Sequence, residues 1–353
     1  MPPRLTLAAA DNTAARNPFD IHKDLAPMKL ATYKDGSRDG QLVVVSRDLS
    51  SAHYPTGIAS RLQQVLDDWT FLAPQLQDLS VQLNAGRVRH NFPFDPRQCM
   101  APLPRATQYL GAVTPALQQS TAGTPLMYQG ASDDFLGPCD DVPIASEAMG
   151  IDFGAEVAVI TGDVRRACTP EQALDSVRLL LLANAVCLRQ LLPAELERGW
   201  GPLQARPTTA FSPVAVTLDE LGSAWQGGRL HWALQSSWNG RKVGLSDAGA
   251  EMPWHFGQLI AHAARTRSLR AGSIVASGTV RSPAVPASKG RTDWPKGYHC
   301  LADKRAIETL QDGQPSTDYL RFGDTLRIEM KGADGHSLCG AIDQAIAPVA
   351  TAG

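Results

Sequence analysis

The stretch "GIDFGAEVAVITG" (150–162) decides how the rest of the chain is read. It reads as a β-strand, and because side chains alternate across a strand, Asp152, Gly154 and Glu156 are expected on one face. That face carries a carboxylate at each end and a glycine between them. The strand sets the tone for most of the chain: "FSPVAVT", "HWALQSSWNG", "GSIVASGTV" and "RFGDTLRIEM" are further short β-like runs punctuated by Gly and Pro.

Towards the N-terminus the pattern changes. "KLATY" and "QLVVVS", split by Asp35-Gly36 and Asp39-Gly40, predict a hairpin. Ile58, Leu62, Val65, Leu66 and Trp69 follow at helical spacing, with a further helical turn or two ending at Gly86. Residues 1–27 read as a polar arm, 28–100 as a small α/β domain and 101–353 as a β-rich domain, so the fold class is α+β and mostly β. Two longer helices are expected in the second part, over 170–189 and 254–264. The first includes the aliphatic run "VRLLLLANAV", read as a buried helix.

The chain of 353 residues has a formal net charge of −2 with 19% charged residues, which gives no basic field for nucleic acid or anionic lipid. No run approaches the ~20 apolar residues of a membrane span. Six scattered cysteines contain no CxxC pair, so neither a zinc site nor a redox motif is indicated, and free thiols in a cytoplasmic setting are expected. A small-molecule partner is the remaining expectation.

Seven ordered strings carry a specific resemblance: "APLPRA" (101–106), "PLMYQGASDDFLGP" (125–138), "GIDFGAEVAVI" (150–160), "RPTTAFSPVAVTLDELG" (206–222), "FGQLIAHAARTRSLRAGSIVASGTV" (256–280), "GYHCLADKRAIETL" (297–310) and "YLRFGDTLRIEMKGADGHSLCGAIDQ" (319–344). Together they resemble the fumarylacetoacetate hydrolase family, in particular its bacterial members. The resemblance implies a mixed β-roll C-terminal domain, a small N-terminal α/β domain and a homodimer. It also implies a divalent metal, magnesium or calcium, and cleavage of a carbon–carbon bond in a 1,3-diketo acid. That chemistry calls for a Lewis acid, a base to activate water, and donors for the developing enolate.

Carried over residue by residue, the family pattern breaks at its metal and base. After "APLPRA" the chain places Gly111 at the position of the first carboxylate and Gln118 at that of the histidine base. The E-x-E pair of the strand has become Gly154-Ala155-Glu156, and in "NAVCLR" (184–189) Ala185 stands at the aspartate position while Asn184 and Arg189 remain. No histidine lies between residues 91 and 230. Arg206 stands at the lysine position, Thr279 at the threonine position, and Asp303 at or near the glutamate that partners the base.

The expected catalytic set is therefore Gln118, Arg206, Thr279, Glu156 and Asp303, with Tyr109, Tyr128 and Arg189 as substrate contacts and no metal ligand set or other cofactor. Asp152 is read as a surface or turn residue, Cys187 as a buried inert helix cysteine and His299 as a surface histidine. The Pro/Gly/Lys-rich stretch 281–299 is read as a mobile loop of the kind that closes over a site. The expected function is a divergent, metal-independent and biosynthetic enzyme that isomerises, cyclises, dehydrates or decarboxylates an enolisable 1,3-dicarbonyl or polyketide-like molecule. A metal-dependent carbon–carbon hydrolase and a non-catalytic binding protein are the alternatives.

Overall fold

The computed structural model describes residues 27–114, 123–286, 292–332 and 334–350. Residues 1–26 of the N-terminal arm (1–27), Gln118 and the middle of the 281–299 stretch (287–291) lie outside the described residues.

The hairpin forms where its turn residues place it: Lys29–Tyr33 pairs antiparallel with Gln41–Val45, in register from Lys29 opposite Val45 to Tyr33 opposite Gln41. Helices Leu62–Asp67 and Trp69–Asn84 follow. The second runs for 16 residues, longer than the turn or two expected. The hairpin does not stand apart from the later chain, because Lys29–Tyr33 also pairs with Ala215–Thr217.

Ala215–Thr217 is one member of an eleven-stranded sheet. From it the order continues through Val177–Asn184, Ala155–Thr161, Ser273–Thr279 and Gln108–Ala112 to Met127–Gly130. All these contacts are antiparallel except that between Ser273–Thr279 and Gln108–Ala112. A second, five-stranded sheet runs from Arg241–Asp247 through Ala233–Trp238, Thr325–Met330 and Ile342–Pro348 to Val142–Ile144. The architecture is mixed α+β and mostly β, as the sequence predicts.

Two elements differ from expectation. Residues 170–189 are not one helix: a short helix, Pro170–Leu174, with Thr169 as its N-cap, leads into the strands Val177–Asn184 and Cys187–Leu188. A short apolar run cannot be assigned to helix or strand by periodicity when both faces are buried. Seven of the eight residues of Val177–Asn184 are buried. The helix Leu301–Asp312, started by Cys300 and stopped by Gly313 at φ 84°, was not foreseen. By contrast Phe256–Ala263 falls within the helix expected over 254–264.

The central strand shows why the sheet holds. In Ala155–Thr161, Ala155, Val157 and Val159 face one hydrophobic core, and Ala158 and Ile160 face another. Both faces are packed, so every residue of the strand is buried. Glu156 is the one acidic residue in it, and alternation turns it to the side of Ala158 and Ile160. No helix among the described residues is long and apolar enough to cross a membrane.

Leu181, opposite Ala158 on the neighbouring strand, is fully buried in the second of these cores. Leu181→Ala should destabilise the protein by about 2–5 kcal/mol. Urea unfolding should show this as a lower midpoint with an unchanged slope.

Candidate active site

The opening stretch is not one continuous strand. Ile151–Asp152 pairs with Cys187–Leu188 in a separate small ladder, and the central strand begins only at Ala155. Between them Gly154 is a crossing point: its carbonyl accepts the Ala185 N–H at 2.8 Å, and its N–H donates to Asn184 Oδ1 at 3.3 Å. A Cβ at Gly154 would lie 2.7 Å from the Ala185 carbonyl oxygen, a contact that backbone atoms cannot relieve cheaply. The glycine at the first strand-carboxylate position is thus required by the close approach of two chain segments.

The break separates the two carboxylates that alternation would put on one face. Asp152 is fully buried, not a surface residue, and is bonded on every side. Its Oδ1 accepts the Leu301 N–H at 2.6 Å, and its Oδ2 accepts the Ala302 N–H at 3.1 Å and Arg189 Nε at 2.8 Å. It ties the start of helix Leu301–Asp312 to the small ladder, and Arg189 is engaged in that tie. Asp303 lies in the first turn of the same helix, 3.5 Å from Arg281. Burial raises its carboxyl above the ordinary value, and the Arg281 guanidinium opposes that rise.

Glu156 lies elsewhere, opposite Thr279 across the central strand pair. The register there is interrupted between Ala276 and Thr279, and Gly278 takes φ 77°, where a Cβ would lie 2.8 Å from the Ala112 carbonyl oxygen. This irregularity directs the Gly278 N–H and the Thr279 hydroxyl at the Glu156 carboxyl. Burial pushes that carboxyl up to about 7, although the Arg206 charge and the two hydrogen bonds pull it down. Its Oε2 is buried with no hydrogen-bond partner.

The remaining wall is aromatic. Strands Gln108–Ala112 and Met127–Gly130 set Tyr109 opposite Gly130 and Gly111 opposite Tyr128. Each tyrosine ring lies across the facing glycine: a Cβ at Gly111 would meet the Tyr128 ring at 2.3 Å, and one at Gly130 would meet the Tyr109 ring at 2.6 Å. The two rings meet edge to face at 6.2 Å, and Phe135 and Phe211 continue the cluster behind Tyr109. The repeated Tyr-x-Gly of "YLG" and "YQG" is the sequence signal for this interlock, and the family comparison of Gly111 alone passes over it.

Arg206 stacks its guanidinium over the Tyr128 ring, 4.3 Å from the centroid. Its Nε is buried and has no hydrogen-bond partner. The Tyr109 hydroxyl is likewise buried, and its neighbours Tyr128 and Thr209 stand beside it without a well-formed bond. Burial raises the Tyr128 phenol to about 12, so it remains protonated at neutral pH.

The structure therefore brings Glu156, Thr279, Arg206, Tyr109 and Tyr128 together, and puts Arg189 and Asp303 in the adjoining salt-bridge network. His299 is not at the surface: it is fully buried, its Nδ1 lies 2.8 Å from Ser236 Oγ, and burial pulls its pKa down to about 4. Cys187 is buried as expected but sits on a strand, and burial raises its thiol pKa. A broad cleft of about 650 Å³ near Gln41, Tyr54 and Ser60 has Tyr54 as its only titratable lining residue and so offers no acid–base pair.

A divalent magnesium or calcium ion needs several oxygen ligands. Among the described residues no group of three or more His, Cys, Asp or Glu side chains is placed to hold a metal. At Gly111 an aromatic ring occupies the space a longer side chain would need, and the positive charge of Arg206 acts on the Glu156 carboxyl, where it would oppose a cation. These residues do not fit the family's metal.

Glu156 also gives a stability signature. As pH rises from about 5 to about 7 the unfolded chain releases this proton while the folded chain keeps it, so folding loses stability across that window. Glu156→Gln should remove a loss of roughly 2–3 kcal/mol. The difference in urea stability between the two proteins, measured from pH 5 to 8, should grow in favour of the variant as pH rises.

Comparison with known proteins agrees with this architecture. Residues 28–105 match the fumarylacetoacetase N-terminal domain 2, and residues 103–344 match the fumarylacetoacetate (FAA) hydrolase C-terminal domain. Among curated proteins no sequence matches. A solved structure of a probable 2-hydroxyhepta-2,4-diene-1,7-dioate isomerase from Mycobacterium abscessus superposes with a TM-score of 0.63 at 17% identity, covering 92% of this chain and 99% of its own. The fumarylacetoacetate hydrolase of psychrophilic Exiguobacterium antarcticum gives 0.62 at 19%, covering 91% and 99%. The maleylpyruvate hydrolase of Sphingobium sp. SYK-6, solved with manganese(II) and pyruvate, gives 0.61 at 14%, covering 92% and 100%. With both family domains matched in order over 28–344, on a fold shared with these structures, the chain belongs to the fumarylacetoacetate hydrolase family.

Proposed function

We propose that this family member is a metal-independent acid–base enzyme acting on an enolisable keto or diketo acid. The observation that carries the reading is that three residues whose charges act on one another each keep a buried, unpartnered polar atom: Glu156 Oε2, Arg206 Nε and the Tyr109 hydroxyl. Buried polar groups are as a rule paired, so orphans on an acid, a cation and a phenol that interact with one another mark where a polar guest belongs. An acid, a cation and a neutral donor are the complement of an enolate.

The carbon between two carbonyls is already acidic, so a single positioned carboxylate is enough to remove its proton. Glu156 takes that proton, and a pKa of about 7 lets it act near neutral pH. The Arg206 guanidinium, held on Tyr128, balances the charge that develops on oxygen, and its planar fork spans two oxygens where an ammonium would be a point charge. Returned to a different carbon, the proton completes an isomerisation with no co-reactant. Buried aromatic walls keep water out and strengthen both interactions.

Pyruvate in the Sphingobium hydrolase is itself a keto acid, which favours that substrate class. Gln118, outside the described residues, stays in the proposal as a member of the catalytic set. A homodimer working in the cytoplasm, with no nucleic-acid or membrane partner, completes the proposal.

Deuterium exchange at C3 of 2,4-dioxopentanoate, followed by NMR, tests the chemistry directly. Enzyme-dependent exchange should persist in EDTA, rise with pH through about 7, and disappear in Glu156→Gln. Loss of exchange in EDTA with recovery on adding magnesium or manganese would refute the metal-free reading and leave the metal-dependent hydrolase.

Binding tests the cation separately. Arg206→Ala should weaken 2,4-dioxopentanoate or oxalate by roughly 1.5–3 kcal/mol, the range for hydrogen bonds to charged groups. Arg206→Lys should recover part of that loss. Equal calorimetric affinities for wild type and Arg206→Ala would remove Arg206 from the site.

A further inference from the structure

Arg206 is carried by a turn whose own support is polar. Helix Leu192–Glu197 presents Glu195, and its carboxylate accepts three consecutive backbone N–H groups: Leu203 at 3.0 Å, Gln204 at 2.7 Å and Ala205 at 3.0 Å. Burial pushes this carboxyl up, but the three N–H groups outweigh it and hold it below its ordinary value. From the other side the Leu188 N–H donates to the Ala205 carbonyl at 2.9 Å, and the turn closes with Arg206 N–H on the Leu203 carbonyl at 3.4 Å.

Packing contributes little to holding this segment. Trp200 is 95% exposed and Leu203 is 80% exposed, so the approach to Arg206 lacks an apolar anchor until Ala205, which is fully buried. The guanidinium has the Tyr128 face beneath it and an unpartnered Nε. Its position on the ring accordingly depends on the course of the backbone through 203–205.

We infer that Glu195 is a positioning residue for the candidate active site: by clamping the backbone of residues 203–205 it keeps the Arg206 guanidinium on Tyr128 beside Glu156. The inference rests on the reading of Arg206 as the anion anchor. The carboxylate acts through the chain, touching neither substrate nor reacting atoms. Three charge-assisted hydrogen bonds to successive N–H groups restrict a short turn far more than one would.

The test reads the guanidinium first and ligand second. Labelling by phenylglyoxal, followed by peptide mass spectrometry, should modify Arg206 roughly tenfold faster in Glu195→Gln than in wild type, as expected for loss of interactions of this strength. Arg189, held by Asp152, serves as the internal control and should keep its wild-type rate. Glu197→Gln removes the same charge from the same helix and should leave Arg206 unchanged.

Affinity for 2,4-dioxopentanoate should fall roughly tenfold in Glu195→Gln and fall no further when Glu195→Gln is added to Arg206→Ala. Unchanged labelling of Arg206 would overturn the inference, as would equal acceleration at Arg189, which reports general loosening. An equal loss of affinity in both backgrounds would assign Glu195 a merely structural role. Faster labelling of Arg206 combined with unaltered affinity in Arg206→Ala would leave the clamp standing and remove the anchor, which separates the two claims.

Discussion

A strand packed on both faces can carry a charge only where neighbouring segments supply partners, and the central strand Ala155–Thr161 is such a strand. Its alternate residues enter two separate cores, which fixes both its register and the side on which Glu156 emerges. The neighbouring strand answers with an irregularity at Gly278 that turns an N–H and the Thr279 hydroxyl to the carboxyl. One oxygen is left over. Deep burial raises the Glu156 pKa to about 7, so the sheet that stabilises the protein also sets the charge state of its central carboxyl.

The glycines of this region are closely covered by their neighbours. Gly111 seats the Tyr128 ring, Tyr128 seats the Arg206 guanidinium, and Gly154 permits the approach of the Ala185 backbone. Each small residue is matched by a larger neighbour in contact with it. Reintroducing a carboxylate at Gly111 would displace the ring, and at Gly154 it would press on a main-chain carbonyl. Asp152, which looks like a candidate ligand in a one-dimensional reading, is occupied instead in holding a helix start and Arg189.

Much of this was legible in the chain. Seven ordered strings indicated the family and the mostly β class, Asp-Gly turns located the first hairpin, and Arg206, Thr279 and Glu156, named from family positions, stand near one another. What was missed has identifiable causes. "VRLLLLAN" has no polar alternation because both its faces are buried, and helix and strand then look alike. His299 was placed outside because a lone histidine is usually exposed, whereas Ser236 satisfies one of its ring nitrogens in the interior. The Tyr-x-Gly pairing needs two strands to be brought into register before it means anything.

The sequence by itself determined composition-level exclusions, the family and the fold class, since these depend only on which residues stand in which order. Only the tertiary structure decided that Asp152 and Glu156 part company at Gly154, that Tyr128 packs over Gly111 with Arg206 stacked on its ring, and that Glu195 grips the turn before Arg206. These rest on contacts between segments far apart in the chain. A residue's charge state and partners follow from burial and register, and neither exists until the sheets have assembled.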